Sequence, residues 1–323
     1  MNFIPIFKKM MELFLIIIIG YSSFRLGVLG TEVKKALTKV VLFVTLPGTI
    51  LSAVMNADSL PSVNQIGKIL VFAFLSYVIF FGIAKLVTLL FRFKGKQKGA
   101  VEFAIIFSNV GFVGYPVTYA VFGPESTFYT CIYNMPFNVI CYSLGVLILT
   151  AGIKASEKSE ETEKDKKAEI IRILKLIATP SMITSVIALV MAMVGYQGPE
   201  ILGNTVKIIG DITTPAALII IGIALAEMPV KEMFTNYKAY LIALISVLAT
   251  PLIVFLILNP FAGGDKLLIG EAVIIAGMPV ATAGTMLCVE YGGDEKFMAQ
   301  MTFISTALSV VTIPLLAVFL GRV

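Results

Sequence analysis

The second half of this chain repeats the landmarks of the first at an offset of 168 to 169 residues. Thr45-Leu46-Pro47 returns as Thr213-Thr214-Pro215, Pro61 as Pro229, and Gly27 and Gly30 as Gly195 and Gly198. Glu102, Gly123 and Phe128 return as Glu271, Gly292 and Phe297. Each copy holds five long apolar segments, and an odd number of membrane crossings forces two such copies into opposite orientations. Inverted repeats of this kind enclose a site near the bilayer midplane at the interface between the copies, the build of a secondary transporter.

The solvent follows from composition. Apolar residues make up 58% of the chain and charged residues 14%, against roughly 25% charged in an ordinary soluble domain; mean hydropathy is +0.95. A bilayer core of ~30 Å needs about 20 apolar residues per crossing helix. Ten stretches qualify: 10–29, 36–57, 66–91, 100–122, 126–152, 171–195, 204–227, 237–259, 268–291 and 296–321. The expected fold is all-α and integral to the membrane, with one five-helix repeat over 1–152, a charged linker over 153–169 and an inverted second repeat over 170–323. The first segment lacks a small-residue cleavage site and has a repeat partner, so it reads as a retained helix.

Counting Lys and Arg in alternate connections puts eighteen on one side and six on the other, with Lys85 inside the third segment. The positive-inside rule then sets both termini outside and the Lys-, Glu- and Ser-rich linker in the cytoplasm. The formal charge of +5 is thus a topology signal and calls for no nucleic-acid partner; its contacts are with membrane lipid. Cys131, Cys141 and Cys288 fall within apolar segments without paired spacing and read as packing residues. Histidine is absent, which removes a His-based proton relay and the commonest nitrogen ligand for a metal. There is no GxxxxGK[ST] loop for ATP and no nucleophile–base pair for an enzyme. No cofactor or metal is expected.

Two segments carry helix breakers at their centres. The fourth reads Phe107-Ser108-Asn109-Val110-Gly111-Phe112-Val113-Gly114-Tyr115-Pro116, and its repeat partner, the ninth, reads Ala276-Gly277-Met278-Pro279-Val280-Ala281-Thr282. Proline removes a backbone donor and glycine admits conformations closed to other residues. Broken backbone is tolerable in a bilayer only against protein or a watered cavity. Matching breaks in inverted repeats are expected to cross at the centre of the bundle, where half-helix N-termini turn unpaired N–H groups towards an anion.

The chemistry-bearing residues gather round those breaks. Asn109 offers a neutral amide able to donate to a carboxylate without the cost of burying a charge, with Ser108 beside it. Asn134 and Asn138 stand one turn apart on the fifth segment, flanking Pro136. Thr45 with Pro47, and Thr214 beside Thr213 and Pro215, mark matching kinks in the second and seventh segments and are expected to shape the cavity wall. Asp211 is an intramembrane carboxylate and so a candidate proton or sodium group. Glu102 and Glu271 hold symmetric places near the starts of the fourth and ninth helices, where a negative charge suits a helix N-terminus; a structural or gating role is favoured for both, and with Asp211 and Lys85 they are the candidate ion- or proton-coupling residues. Lys85 either snorkels to the inner surface or helps hold an anion or coupling proton.

These strings resemble a known family. Ser108-Asn109 through Gly114-Tyr115-Pro116 and Val121-Phe122-Gly123 is similar to the fourth helix of the auxin efflux carrier family, which includes the plant PIN carriers and bacterial permeases. Phe43-Val44-Thr45-Leu46-Pro47 is similar to its second helix, and Met278-Pro279 through Glu290-Tyr291 to its ninth. The resemblance implies a fold like that of the bile-acid sodium symporters: a scaffold of helices 1, 2, 6 and 7, a transport domain of helices 3 to 5 and 8 to 10, and a homodimer. The candidate substrate site, read from the breaks and the polar residues round them, is Ser108, Asn109, Val110, Gly111, Asn134, Asn138, Gly277, Met278, Pro279, Val280, Thr282, Thr45, Pro47 and Thr214. Where the plant carriers place Pro-Asn and Pro-Gln, this chain has Ser108-Asn109 and Pro279-Val280, and it lacks their long cytoplasmic loop. The expected activity is secondary transport of a small organic acid, a mono- or dicarboxylate, across the inner membrane by alternating access. A membrane sensor on a transporter fold and a sodium symporter of bile-acid-like substrates are the rival readings, and the coupling ion, sodium or proton, is left open.

Overall fold

The computed structural model describes residues 3–57, 60–154, 180–227 and 236–322. The expected linker over 153–169 and the first part of the 171–195 segment lie almost wholly outside them. Among the described residues the chain is helical throughout. We number the rods α1 (Phe3–Arg25), α2 (Thr31–Met55), α3 (Val63–Leu90), α4 (Gly95–Ile106), α5 (Val110–Phe122) and α6 (Ser126–Ala151). There follow α7 (Pro180–Val194), α8 (Glu200–Glu227) and α9 (Tyr237–Phe261), α10 (Lys266–Ala276), α11 (Ala283–Tyr291) and α12 (Glu295–Arg322). Six of them, α2, α3, α6, α8, α9 and α12, are long and apolar enough to cross a membrane by length and composition, and α5 and α7 are shorter apolar helices.

Local chemistry explains the boundaries. Ser62 caps α3 by accepting from Gln65 N at 3.2 Å, and Asp265 caps α10 by accepting from Leu268 N at 2.9 Å, each satisfying a donor the first turn leaves orphaned. Gly123 and Gly292, repeat partners in the sequence, end α5 and α11 with φ of 89° and 73°, where a Cβ would be strained.

Prolines shape the interiors. In α2, α5 and α9 a π turn (Val41–Thr45, Val110–Gly114, Ile245–Ala249) stands directly before Leu46-Pro47, Tyr115-Pro116 and Thr250-Pro251. In each, the residue before the proline donates its N–H to the carbonyl five residues back: Leu46 to Val41, Tyr115 to Val110 and Thr250 to Ile245. The widened turn absorbs both the missing donor and the clash of the pyrrolidine ring.

Packing sorts the rods into two groups. In the first, α1 lies along α8, and α2 packs on α7 and α8. The approach is close because it is glycine-lined: a Cβ on Gly222 would come within 2.2 Å of Ile17 O, and one on Gly210 within 2.8 Å of Thr49 N. Small residues let membrane helices meet backbone to backbone without a hydrophobic drive between them. At the other end Lys34 of α2 pairs with Glu227 of α8. The second group comprises α3 to α6 and α9 to α12, with α4 against α3 and α6, and α10 against α3, α6, α9 and α12. Phe103 and Phe107, ring centroids 4.6 Å apart and wholly buried, fill its centre.

Candidate functional site

The two helix breaks meet. Phe107 is extended at the end of α4, and Ser108 forms an antiparallel bridge with Val280, between α10 and α11. Asn109 N donates to Pro279 O at 2.7 Å and Ala281 N donates to Phe107 O at 2.9 Å. Val280 N donates to Ser305 Oγ of α12 at 3.0 Å. The backbone groups freed by the breaks therefore satisfy one another, which is what lets irregular chain exist at that depth.

Asn109 is divided in its loyalties. Its Oδ1 caps α5 by accepting from Phe112 N at 3.3 Å, which fixes the orientation of the amide. Its Nδ2 is buried and has no hydrogen-bond partner, although the residue is only 4% exposed. A buried amide N–H pair without an acceptor is costly, roughly 1–3 kcal/mol. What the residue offers is thus donor capacity alone. The π turn that follows it packs against the second half of α8, at the contact between the two groups.

Next to this contact lies a cavity of about 800 Å³, within the size range of small-molecule sites. One wall comes from α1, α2 and α8, with Leu13, Thr49, Asn56, Lys207, Asp211 and Thr214; the other from α3, α5 and α6, with Gln65, Tyr115, Pro116, Tyr119 and Tyr129. Thr49 Oγ1 bonds Thr213 Oγ1 at 2.8 Å and Gly210 O at 3.0 Å across the α2–α8 contact. The Tyr115 hydroxyl is buried, with Asn134 and Cys131 as its polar neighbours.

The sequence-derived residues divide between these places. Ser108, Asn109, Val110, Met278 and Val280 are buried at the meeting of the breaks, with Gly277, Pro279 and Thr282 beside them and Gly111 partly exposed; none of these lines the cavity. Thr214 and Asp211 do line it. Thr45 is buried with its Oγ1 unpartnered, away from the cavity wall, and Pro47 is half-buried beside it. Asn138 Nδ2 turns back to Asn134 O at 2.9 Å, bracing the helix round Pro136, while Asn134 Oδ1 is buried and unpartnered.

One expectation is corrected. Glu102 and Glu271 do not sit at helix N-termini: α4 begins at Gly95 and α10 at Lys266, so both carboxylates lie past the first turn, beyond the reach of the terminal dipole. The Lys85 side chain is 62% exposed and its Nζ is 2.8 Å from Glu102 Oε1, with Lys98 Nζ at 3.9 Å. Thr49, Tyr115 and Thr130 were missed as individual contributors. Thr49 stands one turn after Thr45, and Thr130 belongs to a stripe of Ser126, Thr130, Asn134 and Asn138 at four-residue spacing, the signal that marks one helix face.

A helical membrane protein in which interrupted helices meet beside a cavity is, as a class, a transporter-like protein. Comparison with known proteins makes the class specific: a family model described as membrane transport protein matches residues 5–317. The chain belongs to that family, the auxin efflux carrier family. It is 24% identical over 308 residues to an uncharacterized transporter of Methanocaldococcus jannaschii, covering 93% of this chain and 94% of the relative. It is 26% identical over 317 residues to an uncharacterized transporter of Methanothermobacter thermautotrophicus, covering 97% and 98%. At 20% identity over 298 residues, covering 92% and 90%, it also matches a Rhizobium meliloti protein whose name provisionally assigns it to malonate transport. The family and these relatives are transporters, not enzymes, and the chain is a multi-pass membrane protein.

Proposed function

We propose that this protein is a secondary carrier of a small organic anion, a mono- or dicarboxylate, working by alternating access in the inner membrane. The observation that carries the reading is Asn109: its acceptor is spent on the helix cap and its N–H pair is unclaimed, at the point where two broken helices join. Donors without acceptors suit a carboxylate. With no arginine at either break, binding is weak enough to permit release. The distant likeness to a protein named for malonate makes dicarboxylates the first class to try.

In this reading the chain crosses the membrane ten times as two inverted five-helix repeats, α4 with α5 and α10 with α11 each making one broken crossing. The group α1, α2, α7 and α8 is the scaffold and bears the homodimer contact; the other rods form the transport domain. The cavity between the groups is bordered by the ends of α2 and α5 and the start of α8, which the bias of basic residues puts outside, so the conformation is outward-open. The test is uptake of labelled malonate and of a monocarboxylate by proteoliposomes. Protein-dependent flux of one acid class supports the proposal, and binding of the acid without flux overturns it in favour of a sensor.

A further inference from the structure

The connection between α3 and α4 reads Phe91-Arg92-Phe93-Lys94-Gly95-Lys96-Gln97-Lys98, four cations within seven residues and no acid. Its counterpart at the 168-residue offset, between α9 and α10, reads Asn259-Pro260-Phe261-Ala262-Gly263-Gly264-Asp265-Lys266, with one charge of each sign. Topology accounts for an excess of basic residues on one side of the membrane. It does not account for how this loop holds them.

Phe93 is buried, its ring 6.2 Å from that of Phe297 in α12, and the Lys238 ammonium of α9 stands 5.5 Å from its centroid. The ring pins the loop to two other rods and draws in a fifth cation. Arg92 has a φ of 52°, and among the described residues it is the one left-handed residue that is not glycine. The second repeat fills its left-handed positions with Gly263 and Gly264. An arginine is strained where a glycine is at ease, and strain of this kind points to a demand other than folding. Arg92, Lys94 and Lys96 are exposed and pair with no carboxylate among the described residues. Of the carboxylates at this end, Glu102 is buried between Lys85 and Lys98 and Asp294 caps α12 through Phe297 N at 3.1 Å. Glu295 is exposed in the first turn of α12.

An apolar stripe leads to these cations. Val71, Phe74, Val78, Leu86 and Leu89 of α3 are exposed at three- and four-residue steps, with Gly82 at the middle, so they share one face of the helix. That face meets lipid tails and ends at the loop, where α3 leaves the apolar zone.

We propose that loop 91–98, with Lys238, binds the phosphate headgroup of an anionic phospholipid of the cytoplasmic leaflet, whose tails lie along the α3 stripe. Clustered Lys and Arg beside a membrane helix attract anionic lipid, each strengthening the hold. A free phosphate has no tails for the stripe. The loop leads straight into α4, the half-helix that ends before Asn109, so the headgroup tethers the inner end of one broken crossing. The assignment rests on the orientation given by the basic residues and not on the substrate.

The experiment is native mass spectrometry of the full chain in nonionic detergent, titrated with dioleoyl phosphatidylglycerol, with dioleoyl phosphatidylcholine or with inorganic phosphate. Wild type is expected to retain phosphatidylglycerol over phosphatidylcholine and to ignore phosphate. Arg92→Gln/Lys94→Gln/Lys96→Gln is expected to weaken phosphatidylglycerol binding roughly 100-fold. Arg25→Gln/Lys35→Gln/Lys39→Gln removes the same charge from the ends of α1 and α2 on the same side, and is expected to stay within about threefold of wild type. Arg92→Gly separates binding from folding: without lipid it is expected to melt no lower than wild type, since glycine suits a φ of 52°, yet to lose about fivefold in phosphatidylglycerol affinity. Equal binding of the two lipids, equal weakening by both triple variants, or phosphate that competes at the lipid's own concentration overturns the proposal. So does an Arg92→Gly protein that melts lower and binds lipid as wild type does, which would make the arginine structural.

Discussion

At the scale of single residues, Asn109 does two separable jobs, and substitution can divide them. Asn109→Asp keeps an oxygen for Phe112 N but loses the N–H donors and adds repulsion towards an anion. Burying a carboxylate at this 4%-exposed position is expected to lower stability by about 1–3 kcal/mol, while organic-acid flux per folded carrier falls more than tenfold, about 1.4 kcal/mol of lost interaction. Asn109→Ala loses the cap as well, roughly 1 kcal/mol, so flux and melting midpoint fall together. Flux that survives in Asn109→Asp would remove this amide from the site. Lys85 is a different case. Its side chain is 62% exposed and Lys98 stands nearby, so Lys85→Met is expected to cost only about 1–2 kcal/mol, well below the 3–5 kcal/mol of breaking a fully buried pair. Denaturation of the purified variant checks this.

At the scale of elements, the close helix contacts and the proline turns set different vulnerabilities. A Cβ on Gly222 would meet both Ile17 O and Tyr21 N, at 2.2 and 2.7 Å. Backbone cannot yield as a side chain can, so Gly222→Ala is expected to wedge α1 from α8 and cost about 1–3 kcal/mol, read as a lower unfolding midpoint. Gly277→Ala is the informative contrast, because its new methyl meets the flexible end of Leu316 at 2.5 Å; it is expected to cost less in the same assay. The prolines were legible as break points, but their sequence context did not distinguish a parted helix from a widened turn. Pro47 and Pro251 sit within continuous rods that absorb them through π turns. The chain parts before Asn109 and around Pro279, because there each strand's freed backbone groups find the other's. The pairing is between segments some 170 residues apart, beyond the reach of local pattern.

At the scale of the whole molecule, the proposed alternating access requires relative movement of two packed groups whose shared boundary includes the cavity. Ala53 and Ala120 line opposite walls of its 800 Å³, so Ala53→Trp or Ala120→Trp is expected to abolish flux while leaving the folded protein intact by size-exclusion chromatography. Retained flux in both would move the substrate path elsewhere. What the sequence alone determined is the solvent, the helices, the family and the places where helices could break, because hydropathy, proline and glycine act over a few turns of chain. It also marked Asn109 and the polar face of Asn134 and Asn138, since a polar side chain in an apolar run is conspicuous wherever it falls. Only the tertiary structure decided that Lys85 belongs to Glu102, that Glu271 faces the Thr130 hydroxyl, and that Thr49 and Tyr115 line the cavity while Asn109 stays behind its wall. Partnership is a matter of distance between helices remote in sequence, and in a bilayer, where every segment is apolar enough to pack against any other, only the assembled bundle sets those distances.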